Sequence, residues 1–302
     1  MPLFRLGTRG SPLALRQAAM VRDALCAAHG WAGRQVDTVV IRTTGDRVQD
    51  RALAEIGGKA LWTKELDRAL LAGEVDACVH SMKDVETVRP AAIAIAACLP
   101  RADVRDRLIG APSIAALKHG AVVGTSSPRR RAQLLRLRPD LRIVLFRGNV
   151  DTRLAKLAGG EADATLLAAA GLDRLGRPDV GVAIPTDVML PAPAQGAVGV
   201  EVRGDDDRAR AAVAAIDDRD TMLAVRTERA LLAALRADCH SPVAALARPT
   251  TDGVRLDAEL LDEDGTAHVV GCMAGAAGEP SGERLAADLL ARAPERVRRL
   301  FQ

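Results

Sequence analysis

Tyrosine is absent from the 302-residue chain, and aromatic residues together make up only 2% of it. Its cores must therefore be packed by Leu, Val, Ile and Ala, and platforms on which nucleic-acid bases could stack are scarce. An excess of charge is lacking too. The formal net charge is +3, and basic and acidic residues alternate as they do on solvated faces, so charge alone names no partner. The opening MPLFRLGTRGSPLAL has no apolar run long enough for a signal-peptide core or a membrane span, which leads us to expect a cytoplasmic protein without a membrane partner. Paired cysteines are missing as well. Cys26, Cys78, Cys98, Cys239 and Cys272 are scattered, with no CxxC among them, which argues against a disulfide framework and against a zinc site; no metal is expected. Cys26, Cys78 and Cys98 sit among Ala, Leu or Val and read as small buried hydrophobes. Cys239 does not fit that pattern.

What is present is a chain that is 48% hydrophobic and long enough for two or three domains. Two stretches read as copies of one another. Gly7-Thr8-Arg9-Gly10-Ser11-Pro12 follows the apolar Leu3 to Leu6, and Gly124-Thr125-Ser126-Ser127-Pro128 follows Ala121 to Val123. Each predicts a short strand, a Gly-Thr turn, a Ser cap and a Pro in the first helical position, where its missing N–H costs nothing. Helical spacing then continues through Ala14, Ala18, Val21 and Leu25, and through Leu134, Leu135 and Leu137. GEVDA before CVHSMKD and GEADA before TLLAAAG close the copies, each as a helix end, a turn and a buried strand.

Strand and helix patterns alternate throughout both copies. The fold class expected is α/β, two duplicated α/β domains facing each other across a cleft, plus a small α+β C-terminal domain. That last unit shows a helix from Met222 to Leu235, strands at Val243 to Ala247, Val254 to Leu261 and His268 to Met273, and a helix from Glu283 to Arg292. The expected boundaries are 1–98 with 195–216, 99–194 and 217–302, with crossings near Pro100 and Leu190-Pro191-Ala192-Pro193.

Between Thr125 and Arg153 stand eight arginines (Arg129, Arg130, Arg131, Arg136, Arg138, Arg142, Arg147 and Arg153) against two acids, Asp140 and Asp151. Arg136 and Arg138 read as a solvated basic face. Arg129 and Arg130 fall in the first turn of a helix, where the dipole disfavours cations unless anions are near. With Arg147 and Arg153 they can converge on one strand end, beside the hydroxyls and N–H groups of Thr125, Ser126 and Ser127. Such a cradle suits a polyanion bearing carboxylates or phosphates. Nucleic acid is the competing polyanion, but no helix-turn-helix, zinc finger or aromatic-rich motif accompanies the arginines, so no nucleic-acid partner is expected. In VHSMKD, His80, Ser81, Lys83 and Asp84 gather where a strand emerges, and a carboxylate in a cationic cleft can stabilise a cation or move a proton. Cys239 lies in the polar, proline-ended loop Ala237-Asp238-Cys239-His240-Ser241-Pro242 after a helix. An accessible thiolate there suits covalent capture of an electrophilic carbon.

Taken in order, TRGSPLALRQA, TTGD, GGKALWTKELDRALL, VHSMKDV, GTSSPRRRAQL, RGNVDTRLAKL, AAAGLDRL, PAQGAVG and TERALLAAL, with the cysteine loop, resemble the porphobilinogen deaminase family; beyond about Ala247 only the layout is similar. The resemblance implies a two-lobed core like that of type II periplasmic binding proteins. It implies a dipyrromethane primer joined to Cys239 through a thioether, with the growing chain in the cleft. Each porphobilinogen would lose ammonia to give an azafulvene, which the terminal pyrrole attacks. Four additions would precede hydrolytic release of the linear tetrapyrrole hydroxymethylbilane. Asp84 would be the catalytic carboxylate. Arg9, Ser11, Lys83, Thr125, Ser127, Arg129, Arg130, Arg147, Arg153 and Arg174 match positions that bind acetate and propionate side chains. Gln17, Asp46, Gln195 and the loop from Arg47 to Lys59 are further carry-overs, and Ser81 and Ser126 join them from the reading above. The chain departs from the family pattern at Trp62, where Phe is common, at Glu86, where a proline is usual, at Ala194, often Gly, and at Ala237-Asp238, often a Gly pair. A monomer acting on small-molecule porphobilinogen is expected. Two other classes compete: a bilobal binding protein for an acidic metabolite, which needs neither Cys239 nor Asp84, and a cysteine-dependent hydrolase, which forms no stable adduct.

Overall fold

The computed structural model describes residues 3–42 and 63–301. The chain divides into two compact units, Met1–Ala102 with Ala197–Met222, and Asp103–Gly196 with Leu223–Gln302. Unit 1 is built on strands β1 (Phe4–Arg9), β2 (Val36–Ile41), β3 (Ala77–Ser81), β4 (Ile93–Cys98) and β10 (Val198–Arg203), in the order β2-β1-β3-β10-β4. β1 runs parallel to β2 and β3, whereas β10 is antiparallel to both its neighbours. Helix α1 (Pro12–His29) starts as the sequence requires, with the Ser11 hydroxyl accepting the Ala14 N–H and Pro12 in the first turn, and stops at Gly30 in the left-handed region. Its buried Ala18, Val21 and Leu25 pack with Phe4, Leu6, Val79 and Val200 of the sheet.

The sheet of unit 2 repeats this plan. Strands β5 (Asp106–Ile109), β6 (Val122–Gly124), β7 (Arg142–Val144), β8 (Ala164–Ala168) and β9 (Val182–Ala183) lie in the order β7-β6-β8-β5-β9. β6 is parallel to β7 and β8, and β5 is the antiparallel member. Matching β6 to β1, β7 to β2, β8 to β3, β5 to β10 and β9 to β4 superposes the two orders. The duplication read from GTRGSP and GTSSP is thus a duplication of topology. In each sheet the reversed strand is the first to follow a crossing from the other unit, at Asp106 in unit 2 and at Val198 on the return to unit 1.

The C-terminal part of unit 2 has its own three-stranded antiparallel sheet, β11 (Val243–Thr250), β12 (Gly253–Leu261) and β13 (His268–Gly275). It is flanked by long helices at Arg219–Ala234 and Ser281–Arg292, with a core that includes Leu231, Leu256, Leu260, Leu285 and Leu289. It is the small α+β C-terminal domain expected from the sequence, and it falls in the same compact unit as the arginine-bearing lobe. Buried Glu259 on β12 accepts from Gln133 Nε2 at 2.8 Å and lies 2.9 Å from Arg136 Nε, so a charged contact, costly to leave half made, joins the two parts. Among the described residues no helix is long and apolar enough to cross a membrane.

A buried charge cluster supports the sheet of unit 1. The Glu201 side chain on β10 is fully buried and accepts from Arg89 Nε and Nη2, both at 2.8 Å, while His80 Nε2 lies 3.2 Å away. Burial pushes the Glu201 carboxyl up, but His80 and Arg89 outweigh it and hold the group at about 2, below its ordinary 4.5. A lowered native value adds stability above the unfolded value and loses it as the pH falls. Unfolding free energy should therefore drop by about 3 kcal/mol from this group between roughly pH 5 and pH 2, as read by urea titration; a flat profile would contradict the pairing. Arg89→Met should cost about 3–5 kcal/mol at neutral pH by stranding the carboxylate.

Candidate active site

In unit 1, β3 ends at Ser81 and the chain turns through one 3₁₀ turn, Met82–Asp84. The turn is anchored from inside. Met82 is buried, its N–H bonds to the Ala197 carbonyl, and its Sδ lies so close to Gly199 that a Cβ there would fall within 2.0 Å. With Met82 pointing inward, Lys83 is half-buried and Asp84 is exposed. The buried Gln17 of α1 bonds Ser81 Oγ at 2.8 Å, which fixes the serine at the strand end. Arg9 ends β1, and Ser11 caps α1. Glu86, the departure from the family pattern, ties down the segment after Asp84: its carboxylate accepts from the Thr63 hydroxyl at 2.7 Å and from Arg89 at 2.6 Å. Asp46 and the loop from Arg47 to Lys59 lie outside the described residues.

Helix α2 (Lys64–Leu71) belongs to unit 1; in unit 2, the turn after β6 and the helix α3 (Pro128–Leu137) gather the second group. The Phe146 ring fills the space over Gly124, where a Cβ would stand 2.4 Å from it. Phe146 thus turns inward, two residues beyond the end of β7 at Val144. Thr125 is buried, and its Oγ1 accepts the Ser127 N–H at 3.2 Å. Ser127 caps α3 by accepting the Arg130 N–H, and Arg153 reaches Ser126 Oγ at 3.2 Å while its Nε holds the Gly148 carbonyl at 3.0 Å. Arg147 is half-buried, and its Nη1 is a buried donor with no hydrogen-bond partner among the described residues. Arg174 donates to the Gly196 carbonyl at 2.6 Å, and its Nε is a second buried donor of that kind. Burial lowers the Arg174 guanidinium from its usual value, with Asp173 opposing.

Arg129 and Arg130 are placed differently. Both are buried and share one carboxylate, Asp106, with Arg129 Nη2 at 2.8 Å and Arg130 Nη2 at 2.7 Å. Gln195 joins them, its amide donating to Asp106 at 2.9 Å and to the Val104 carbonyl at 2.7 Å. The anion that first-turn arginines require is thus supplied within the chain. Asp106 was missed by sequence reasoning, and that electrostatic conflict was the signal that could have found it. Arg136 and Arg138 are not the solvated face expected of them. Arg136 pairs with buried Glu259, and Arg138 forks onto Asp140 and onto the carbonyls of Ile114, Ala115 and Leu117.

Cys239 is exposed, as is Cys272 on β13, whereas Cys78 and Cys98 are buried as expected and Cys26, expected buried too, is only half-buried on α1. The helix before it ends in a turn with Arg236 at φ 54, and the loop is closed by the Asp238 N–H on Ser241 Oγ and the His240 N–H on Asp238. Further along the fold, Glu228 accepts the N–H groups of Ala194 and Ala247. Ala194, where glycine is frequent, sits at φ 60, so this clamp offsets a backbone strain of roughly 1 kcal/mol.

An exposed sulfur, and buried guanidinium donors with no hydrogen-bond partner among the described residues, suit a protein that handles an organic polyanion. The comparisons name the kind. Residues 4–211 match the family model described as porphobilinogen deaminase, dipyromethane cofactor binding domain, and residues 222–291 match porphobilinogen deaminase, C-terminal domain. The porphobilinogen deaminase of Sphingopyxis alaskensis is 59% identical over 99% of this chain and 96% of its own length, and that of Paracoccus denitrificans is 53% identical over 96% and 95%. A solved structure of the methionine binding protein MetQ covers 72% of this chain and 91% of its own at 12% identity, with a TM-score of 0.44. The chain belongs to the porphobilinogen deaminase family, transferases that condense porphobilinogen into hydroxymethylbilane on a dipyrromethane cofactor. The donor set fits that cofactor, since thioether attachment needs an accessible sulfur and each pyrrole brings carboxylates that suit guanidinium forks.

Because Arg147 Nη1 is a buried donor with no hydrogen-bond partner among the described residues, its removal should cost little stability. Arg147→Gln should leave the melting temperature within about 2 °C in differential scanning fluorimetry while raising the KM for porphobilinogen at least about tenfold; a large fall in melting temperature at unchanged KM would assign it to the fold instead.

Proposed function

We propose that Cys239 carries the dipyrromethane and that Asp84 is the catalytic carboxylate. The exposure of Cys239 on a turn-held loop is the observation that carries this reading: Cys78 and Cys98 are buried and Cys26 half-buried, and Cys272, exposed as well, lies within the paired strand β13 and not in a loop. When bound, the dipyrromethane supplies the free pyrrole α-carbon to which porphobilinogen units are added. Asp84, exposed at the tip of the turn after β3, accepts pyrrole N–H groups and stabilises the positive charge that develops as ammonia leaves the substrate. Lys83 and Arg9 bind substrate carboxylates from the same unit, with Ser11, Ser81 and Gln17 orienting them, and Asp46 is assigned to the same task. In unit 2, Arg147, Arg153 and Arg174 bind acetate and propionate groups, assisted by Thr125, Ser126 and Ser127. Arg129, Arg130 and Gln195 take part through the shared Asp106. The number of cations follows from the product, which gains carboxylates at each addition. The chain acts as a cytoplasmic monomer on a small-molecule substrate, without nucleic-acid or membrane partners.

The intact mass of the purified protein should exceed that of the sequence by one dipyrromethane, and Cys239→Ser should lack the excess and all turnover. Asp84→Asn should keep the excess mass yet lose at least about a hundredfold in kcat. A fully active wild type of unmodified mass would refute the attachment, and normal turnover in Asp84→Asn would remove Asp84 from the chemistry.

A further inference from the structure

Asp106 has no place in the reading above except as a partner, yet its surroundings are unusual. Its residue exposure is 2%, and it accepts from Arg129, Arg130 and Gln195, all buried. Burial by itself would push the carboxyl up, but the two guanidinium groups outweigh it and hold Asp106 well below the usual carboxylate range, so it is ionised. Within hydrogen-bond reach one negative charge therefore faces two positive ones; Glu259 also attracts Arg129, but it is engaged by Gln133 and lies 2.9 Å from Arg136. The remaining hydrogen bonds of the pair fix their planes: Arg129 Nη1 donates to Gln133 Oε1 at 3.0 Å and to the Leu190 carbonyl at 2.9 Å, and Arg130 Nη1 donates to the Leu166 carbonyl at 2.9 Å. In each arginine Nε is left as a buried donor without a hydrogen-bond partner among the described residues. A purely structural ion cluster would be expected to close its charge and its donors, because an uncompensated buried cation is expensive. This one closes neither.

We propose that Asp106 is a positioning residue for carboxylate recognition: it locks Arg129 and Arg130 side by side at the start of α3 and cancels one of their two charges, leaving a single fixed positive charge for a pyrrole carboxylate. The inference rests on the function proposed above. The consequence is chemical. Without the acid between them the two guanidinium groups would repel each other and splay, and a substrate carboxylate would lose the fixed fork geometry that binds it. Freezing the forks in advance also removes the cost of ordering them on binding.

The test compares the purified full-length wild type with Asp106→Asn, Asp106→Glu and Gln133→Met by intact mass, steady-state kinetics with porphobilinogen and thermal melting. Asp106→Asn, which keeps the shape but not the charge, should raise KM at least about tenfold while kcat changes less than about threefold, and should lower the fraction of protein carrying the dipyrromethane mass. Asp106→Glu should restore part of the KM. Gln133→Met removes an acceptor from Arg129 without altering charge and should raise KM about threefold. A folded Asp106→Asn with wild-type KM and full adduct, differing only in melting temperature, would overturn the proposal. Should that variant yield no folded protein, an unchanged KM in Gln133→Met would overturn it equally. A wild type lacking both adduct and turnover would strike the proposed function instead of this inference.

Discussion

The pairing of buried guanidinium groups with too few carboxylates is the constraint on which the rest of this molecule depends. In unit 2 a single Asp106 serves Arg129 and Arg130, while Arg147 and Arg174 each keep a buried donor with no hydrogen-bond partner among the described residues. A fold optimised for stability alone would replace such groups by apolar side chains of similar volume. Their retention has a physical reason if a polyanion completes them. The chain belongs to a family whose substrate and cofactor supply those anions as acetate and propionate groups.

Unit 1 handles its charges differently. Glu201 is matched by Arg89 and His80, with Asp67 and Glu86 completing the coordination of Arg89. This cluster, three carboxylates around the one Arg89 guanidinium with His80 beside them, ties the sheet to the segment that follows Asp84. The two copies of one topology have thus diverged in what they do with the same strand end. CVHSMKD places Lys83 and Asp84 on the turn after β3, whereas the matching TLLAAAG places Ala170 and Gly171 at the start of a helix that leads to Arg174. A carboxylate suited to catalysis sits in one copy, and cations suited to binding dominate the other.

Much of this was legible locally. Ser11-Pro12 and Ser127-Pro128 specify helix starts through interactions within four residues, and both caps form as written. The three strands of the C-terminal sheet are long, apolar and well separated, so their positions were readable to within a few residues. Partners distant in sequence were not readable. Asp106 lies 23 residues from Arg129, Glu259 lies 126 residues from Gln133, and neither contact leaves a periodic trace. The same blindness made Arg138 look solvated, although it fastens onto carbonyls of the segment before β6. Family resemblance pointed to these cations, but not to the acid of the same chain that holds two of them.

The central claim is that the sulfur of Cys239, and no other, is covalently committed to an oligopyrrole. Tandem mass spectrometry of the tryptic peptide that begins at Ala237 tests this most directly. The account requires a fragment series in which the added mass begins at Cys239 and is missing from the peptides containing Cys26, Cys78, Cys98 and Cys272. An unmodified Cys239 in catalytically competent protein, or the same mass found on a different cysteine, would contradict it.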